Sequence, residues 1–383
     1  MAEGACEAAR PRPPLAAMPD PIAIFLVVPP GLEAEAAAEA RAAGLHVTAT
    51  GPGGVTVAGG WPEVWRANLA LRGASRVLVR IGAFRAMHLA QLDKRARRFP
   101  WGDVLRPDVP VRVEATCRAS RIYHEKAAAQ RVAAAIAGTL GATVVETAPV
   151  RVLVRIDDDL CTLSLDTSGE PLHRRGHKAE VGKAPLRETI AAMLLARMGY
   201  AGGVPLVDPM CGSGTIPIEA AGIAAGLLPG RARGFAFELL ATHDPAAVAA
   251  LRALPPRETA LRFHGSDRDD GAIRIARANA DRAGVGPLCT FTRAAISDAA
   301  PPEGPPGIVL VNPPYGTRIG ARRLLHGLYG AFGAAMRARF AGWRVGVITP
   351  DAGLAASTGL ALAPLGPPVA HGGLRVQLFA GQV

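Results

Sequence analysis

Asp208-Pro209-Met210-Cys211-Gly212-Ser213-Gly214-Thr215 is the stretch that decides how the second half of this chain folds. The apolar run 204–207 precedes it, and the helix-like Ile216-Pro217-Ile218-Glu219-Ala220-Ala221 follows. The order is strand, glycine-rich turn, helix. Glycines let the backbone approach a ligand closely, and a helix N-terminus favours negative charge there. Pro217 suits a first helical turn, where its missing N–H would lack a partner anyway. It also stands where a dinucleotide-binding G-x-G-x-x-G needs its third glycine, and the acid expected about 20 residues on is absent.

Two more strand ends follow. Leu261-Arg262-Phe263-His264-Gly265-Ser266 ends at Asp267, and a helix-like run covers 272–283. An acid at that place can accept hydrogen bonds from both hydroxyls of a ribose. Further on, Gly307-Ile308-Val309-Leu310 reads as a buried strand running into Val311-Asn312-Pro313-Pro314-Tyr315-Gly316. Two prolines hold that turn rigid and leave carbonyls free to accept. The Asn312 amide oxygen and the Pro313 carbonyl can grip an exocyclic amino group, and Tyr315 can stack on the ring that carries it. Acceptors aimed at the amino hydrogens favour a pyramidal nitrogen whose lone pair can attack. Asn312, Pro313, Pro314 and Tyr315 are therefore the catalytic candidates, for methyl transfer to a base amino nitrogen. An ordinary turn after a buried strand uses the same residue types, and the glycine turn a hundred residues earlier tips the balance. Three candidate sites, each at a strand's carboxyl end, predict a doubly wound α/β sheet.

These segments together resemble the class I S-adenosylmethionine-dependent methyltransferases of the THUMP-containing RNA guanine-N2 group. The likeness rests on 208–215, on Gly265-Ser266-Asp267 and on Asn312-Pro313-Pro314-Tyr315-Gly316. Leu172-His173-Arg174-Arg175-Gly176-His177-Lys178, followed by Ala184-Pro185-Leu186-Arg187-Glu188-Thr189, is similar to the junction of that group's large-subunit (23S) ribosomal RNA members. The likeness runs from about Pro21 to the C-terminus. It implies a Rossmann-like methyltransferase domain over 171–383. It also implies S-adenosyl-L-methionine as donor, held by Asp208, Pro209, Met210, Cys211, Gly212, Ser213, Gly214, Thr215 and Asp267. The family often has an acid reaching the adenine after the next strand. Ala295 stands at that place here, which leaves Asp298 as the candidate. Guanine N2 in 23S rRNA, or in a pre-ribosomal particle, is the implied acceptor. A tRNA guanine, a DNA adenine N6 and a non-catalytic role in ribosome assembly remain as alternatives.

Upstream, a β-α-β-β-α-β pattern over 20–83 predicts a ferredoxin-like domain. The unit 84–170 is similar to a THUMP domain, which implies RNA binding. Its helical stretch 87–99 carries Lys94, Arg95, Arg97 and Arg98. The segment 118–126 adds Arg118, Arg121, His124 and Lys126 to the basic residues. The densest basic run holds Arg174, Arg175 and Lys178, which are expected to contact phosphates beside the target base. His173 and His177 are four apart, but Gly176 between them and the lack of nearby acids speak against a metal site.

The 383 residues carry 43 Lys+Arg against 32 Asp+Glu, a net charge of +11. That favours a polyanionic partner, although an arginine-rich composition from high genomic GC content produces the same sign. Cys6, Cys117, Cys161, Cys211 and Cys289 are scattered, and no C-x-x-C occurs. A disulfide framework or zinc site is not expected, and the pattern fits a reducing cytosol. Cys211 reads as a small lining residue of the glycine turn rather than as a covalent nucleophile. No apolar run approaches the roughly 18 residues of a membrane helix. The first 19 residues lack a signal-peptide core and read as a disordered lead-in. Neither a membrane nor a metal is expected, and the expected compartment is the cytoplasm.

Overall fold

The computed structural model describes residues 21–178, 186–315 and 322–383. The expected lead-in lies outside the described residues, as does the Ala184-Pro185 start of the second junction segment.

The first sheet is built from β1 (Ile22–Val27), α1 (Glu33–Ala42), β2 (His46–Gly51), β3 (Gly54–Gly59), α2 (Trp61–Ala70), β4 (Arg76–Arg85), α3 (Leu89–Ala96), β5 (Val111–Arg118), α4 (Glu125–Leu140), β6 (Val150–Asp157) and β7 (Leu160–Asp166). Its strand order is β2-β3-β1-β4-β7-β6-β5. The first four strands have the expected ferredoxin-like arrangement. The expected division at 83/84 falls inside β4, however. That strand pairs with β1 at Ile24↔Val79 and continues along β7 to Arg85↔Leu160. Its pairing with β7 runs on through the division, past a register shift between Arg80 and Gly82, so one sheet serves both units. The β6–β7 hairpin turns at Asp158 and Asp159, both at positive φ (51° and 60°), as a two-residue hairpin turn requires.

The second sheet is built from α5 (Glu188–Arg197), β8 (Leu206–Asp208), α6 (Thr215–Ala224), α7 (Pro245–Arg252), β9 (Phe263–Asp267), α8 (Asp270–Arg282), β10 (Cys289–Arg293), β11 (Ile308–Val311), α9 (Arg322–Arg339), β12 (Arg344–Thr349), α10 (Ala352–Ser357), β13 (Ala363–Pro364), β14 (Val369–His371) and β15 (Leu374–Gln382). The order is β10-β9-β8-β11-β12-β15-β13, with β14 on β15. Strands β8 to β12 run parallel, and β15 is antiparallel to β12. The chain moves outward from β8 to β10 and then returns to place β11 on the other side of β8. That reversal opens a crevice at the carboxyl ends of β8 and β11, where doubly wound sheets bind ligands.

A buried ionic network joins the two sheets. Arg72, just after α2, donates to Glu219 Oε2 at 2.9 Å, and Arg175 Nε donates to Glu219 Oε1 at 3.2 Å. Arg175 Nη2 also donates to the Arg72 carbonyl at 2.8 Å. The Glu39 carboxylate accepts the N–H groups of Arg72 and Gly73 at 2.7 and 2.9 Å. Buried charges persist only when paired and hydrogen-bonded in this way. Glu219 lies on α6, directly behind the glycine turn. Among the described residues, no helix is long and apolar enough to cross a membrane.

Candidate active site

β8 ends at Asp208, which is buried. Its Oδ1 accepts the Met210 N–H at 3.1 Å and so starts the turn. Burial pushes the Asp208 carboxyl up to about 8, and the nearby Asp267 charge adds to the rise. The turn then folds back on β9: Cys211 N donates to Ser266 O at 2.9 Å, and Gly212 N donates to Asp267 Oδ2 at 3.1 Å. Asp267 Oδ1 accepts the Asp269 N–H at 3.0 Å, which fixes the carboxylate's orientation.

Two glycines have different physical reasons. Gly214 is left-handed at φ 83°, and a Cβ there would sit 3.1 Å from both Ala276 and Phe291, so it is packed. Gly212 is also left-handed, at φ 52°, but a Cβ there would meet nothing within 4 Å. The backbone at Gly212 therefore faces open space, a place where a ligand can lie directly on the main chain. Cys211 is buried, and burial holds its thiol well above the ordinary range. A neutral thiol is a poor nucleophile, which agrees with its reading as a lining residue.

β11 ends at Val311. Val309 pairs with Val207, so β11 ends beside the end of β8, where the glycine turn begins. Asn312 Oδ1 is buried and has no hydrogen-bond partner among the described residues. Pro313 is buried, Pro314 is exposed and Tyr315 is half-buried. Desolvation raises the Tyr315 hydroxyl above its usual range. Tyr315, Met210 and Ile296 all pack on one apolar cluster that includes Val311 and Tyr329. The acceptor turn, the glycine turn and the segment after β10 thus share a floor.

Asp298 is exposed and accepts from its neighbour Ser297 Oγ at 3.0 Å. That leaves its carboxylate open to solvent, bonded to its own chain neighbour. The backbone just before it is tied to β9, since Ala294 N donates to Asp267 O at 3.0 Å.

The expected RNA contacts differ in what each side chain meets. Lys94, Arg95 and Arg98 line a hollow of about 560 Å³ together with Phe84 and Phe99. Arg97 is turned away into an ion pair with Asp93 at 2.9 Å. Arg174 is exposed, and its pair with Glu170 is exposed as well, which makes it a weak tie. The expectation of phosphate contact fails for Arg175 and Lys178. Arg175 is buried on Glu219, Leu172 O and Arg72 O, because an interior carboxylate outcompetes solvent for it. Lys178 Nζ lies 2.8 Å from Thr215 Oγ1 at the start of α6 and 3.0 Å from Glu188 Oε1. A cation at the positive end of a helix is unfavourable unless an anion joins it, and Glu188 supplies one. Lys178 therefore sits at the N-terminus of α6, beside the glycine turn. A hollow of about 740 Å³, lined by His173, Arg174, Lys178, Arg187, Glu188 and Arg233, adjoins it. Burial and the surrounding cations hold His173 down to about 4, so its ring is neutral.

Ile296 and Asn279 escaped the sequence reading, and Glu188 entered it only as part of the junction segment. Buried Asn279 donates its side-chain amide to Ser213 O at 3.1 Å and braces the turn from α8. Its position in the helix periodicity reads as an ordinary inward residue, so nothing in the sequence marks it.

Three family descriptions match the chain in order. They are the RlmL ferredoxin-like domain over 23–78, the THUMP domain over 86–166 and the RMKL-like methyltransferase domain over 175–360. The "Ribosomal RNA large subunit methyltransferase K/L" of Syntrophotalea carbinolica is 38% identical over 364 residues, covering 90% of this chain and 51% of that protein. The counterpart of Methylococcus capsulatus is 35% identical over 360 residues, covering 88% and 48%. The chain thus spans about half the length of the curated relatives it matches. Among solved structures, one described as a predicted N6-adenine-specific DNA methylase from Listeria monocytogenes superposes with a TM-score of 0.82. It is 30% identical, over 94% of this chain and 96% of that one. With its ferredoxin-like, THUMP and methyltransferase parts in this order, the chain belongs to the THUMP-domain-containing RMKL-like methyltransferase family.

Proposed function

We propose that this chain transfers a methyl group from S-adenosylmethionine to the exocyclic N2 of a guanine in large-subunit (23S) ribosomal RNA. The observation that carries this reading is the buried Asn312 Oδ1, which has no partner among the described residues, at the end of β11 beside β8 and its glycine turn. A buried acceptor without a partner is costly, and a substrate amino group repays that cost.

S-adenosylmethionine, when bound, supplies an electrophilic methyl group. The residues present fit it. The open face above Gly212 takes the backbone-facing side of the ligand, and Asp267 is oriented to accept from ribose hydroxyls. The N-terminus of α6 with Lys178 suits the carboxylate of an amino-acid moiety. Asn312 Oδ1 and the Pro313 carbonyl accept the two amino hydrogens, which takes the nitrogen lone pair out of conjugation with the ring. Tyr315 holds the base plane. The nitrogen becomes acidic as it gains the methyl group, so water can take the proton and no carboxylate base is required. Most of the acceleration then comes from positioning. The target base must leave its stack, at a cost of about a few kcal/mol, and the basic hollows offset that by holding the flanking strand.

The names of the curated relatives and the 172–178 junction support 23S rRNA, free or in a pre-ribosomal particle in the cytoplasm, as acceptor. The description of the Listeria structure keeps DNA adenine N6 as the second reading. Nucleoside mass spectrometry on separated RNAs and DNA from a strain lacking the protein tests the choice. The expected result is loss of N2-methylguanosine from 23S rRNA alone. Loss from tRNA, or loss of N6-methyladenine from DNA, would move the acceptor accordingly.

A further inference from the structure

The corner where β5 leads into α4 carries a side-chain cluster that neither turn of the active site uses. Tyr123 is 71% exposed, and its ring lies 4.2 Å from that of His124, centroid to centroid. Arg121 stands beside them with its side chain 72% exposed. Its Nη1 reaches the sulfur of the exposed Met87 at 3.6 Å. Arg118 and Lys126 are exposed on the same segment.

A second observation concerns the backbone. Among the described residues, the non-glycine residues at positive φ are Ala119, Asp158 and Asp159, and all three lie at this corner. Aspartates tolerate a hairpin turn of this kind, but alanine meets a steric penalty in the left-handed region. The surrounding hydrogen bonds enforce it. Arg121 N donates to Asp159 Oδ1 at 2.8 Å, Asp159 N to Ser120 Oγ at 3.1 Å and Ser120 Oγ to Arg118 O at 2.6 Å. Strain fixed in this manner collects where a ligand is clamped. The corner is also continuous with the basic hollow. Met87 N donates to Gln91 Oε1 at 2.9 Å, and Gln91 lines that hollow with Lys94, Arg95 and Arg98.

We infer that Tyr123 and His124 form a stacking platform for an unpaired nucleobase, with Arg121 and Arg118 on the flanking phosphates. The strand then runs toward Lys94, Arg95 and Arg98. Exposed aromatic faces accept any base, and a duplex keeps its bases inside, so the platform selects single-stranded RNA. The cations around the rings and the net charge of +11 favour RNA over a protein partner. The inference rests on the RNA-acceptor reading, but it uses residues remote in sequence from the methyl-transfer turns and can fail separately.

The test is fluorescence anisotropy with a labelled oligouridine and with a duplex RNA of equal length, alongside methylation of RNA by the wild-type protein. The wild type binds the single strand more tightly. Tyr123→Ala weakens that binding about tenfold while Tyr123→Phe stays within about twofold, because the loss is one of stacking. The slope of log affinity against log salt is unchanged in Tyr123→Ala, and Arg121→Ala flattens it by about 0.7. Wild-type affinity in Tyr123→Ala, a preference for duplex, or no binding of oligouridine overturns the platform. A dimer lost in Tyr123→Ala with RNA affinity intact, read by sedimentation, assigns the patch to self-association and overturns it equally. If the wild type methylates RNA while Tyr123→Ala binds normally, only the platform falls. If it neither methylates nor binds RNA, both readings fall.

Discussion

Gly212 donates its backbone N–H to the Asp267 carboxylate across 3.1 Å, so the glycine turn after β8 and the acid at the end of β9 form one unit. Each helps to position the other. Asp267→Ala removes the acceptor for Gly212 and Asp269 as well as the partner for ribose hydroxyls. Calorimetric titration with S-adenosylmethionine is expected to show a loss of about 1.5–3 kcal/mol, the usual range for hydrogen bonds to a charged group. RNA affinity stays at the wild-type level. Undiminished donor affinity would remove Asp267 from the site.

Asn312→Ala separates activity from stability. Single-turnover methylation at saturating RNA falls by about 10²–10³-fold, as for loss of a preorganised polar contact in a transition state. Donor affinity holds. Asn312 Oδ1 has no partner among the described residues, so the melting temperature of the variant stays level or rises. A clear drop in melting temperature with activity intact would mean that the side chain serves the fold instead.

Lys178 is expected to serve the donor rather than RNA. The variant to use is Lys178→Met with Glu188→Gln, which avoids leaving a buried carboxylate unpaired. Affinity for S-adenosylmethionine falls by about tenfold or more, as for a lost charged contact. Affinity for methylthioadenosine, which lacks the amino-acid moiety, does not change. Equal losses for both ligands would show that the variant had only disturbed the turn.

Asp208 gives a pH signature. Its folded-state value is raised to about 8 from an ordinary 3.8, chiefly by burial. The folded protein therefore holds a proton there that the unfolded chain releases near pH 4. This contribution to stability is fully present below pH 3.8 and is lost as pH rises toward about 8. Asp208→Asn removes the titration. Thermal melts of the two proteins should diverge in favour of the variant between about pH 4 and 8 and then run parallel. Parallel curves throughout would mean that Asp208 is ionised in the folded protein.

The sequence alone determined the local features of this protein. The doubly wound domain was legible because each of its sites sits where an apolar run stops: Asp208 and the glycines, Asp267, and Asn312 with its prolines. Such signals live within a few residues, where backbone sterics and side-chain chemistry act together. Only the tertiary structure decided which charges face water. Arg174, Arg175 and Lys178 form one basic run in the sequence, yet one is exposed, one is buried on Glu219 and one meets Thr215 at the start of α6. Charge type is written in the chain, but partners such as Glu219 lie tens of residues away, and their pairing depends on how two sheets pack. The same holds for β4, whose continuation from β1 to β7 merges two expected domains into one sheet. It holds for Asn279 too, an inward helix residue that braces Ser213 from a neighbouring element. Long-range pairing fixes these roles, and a local pattern carries no record of it.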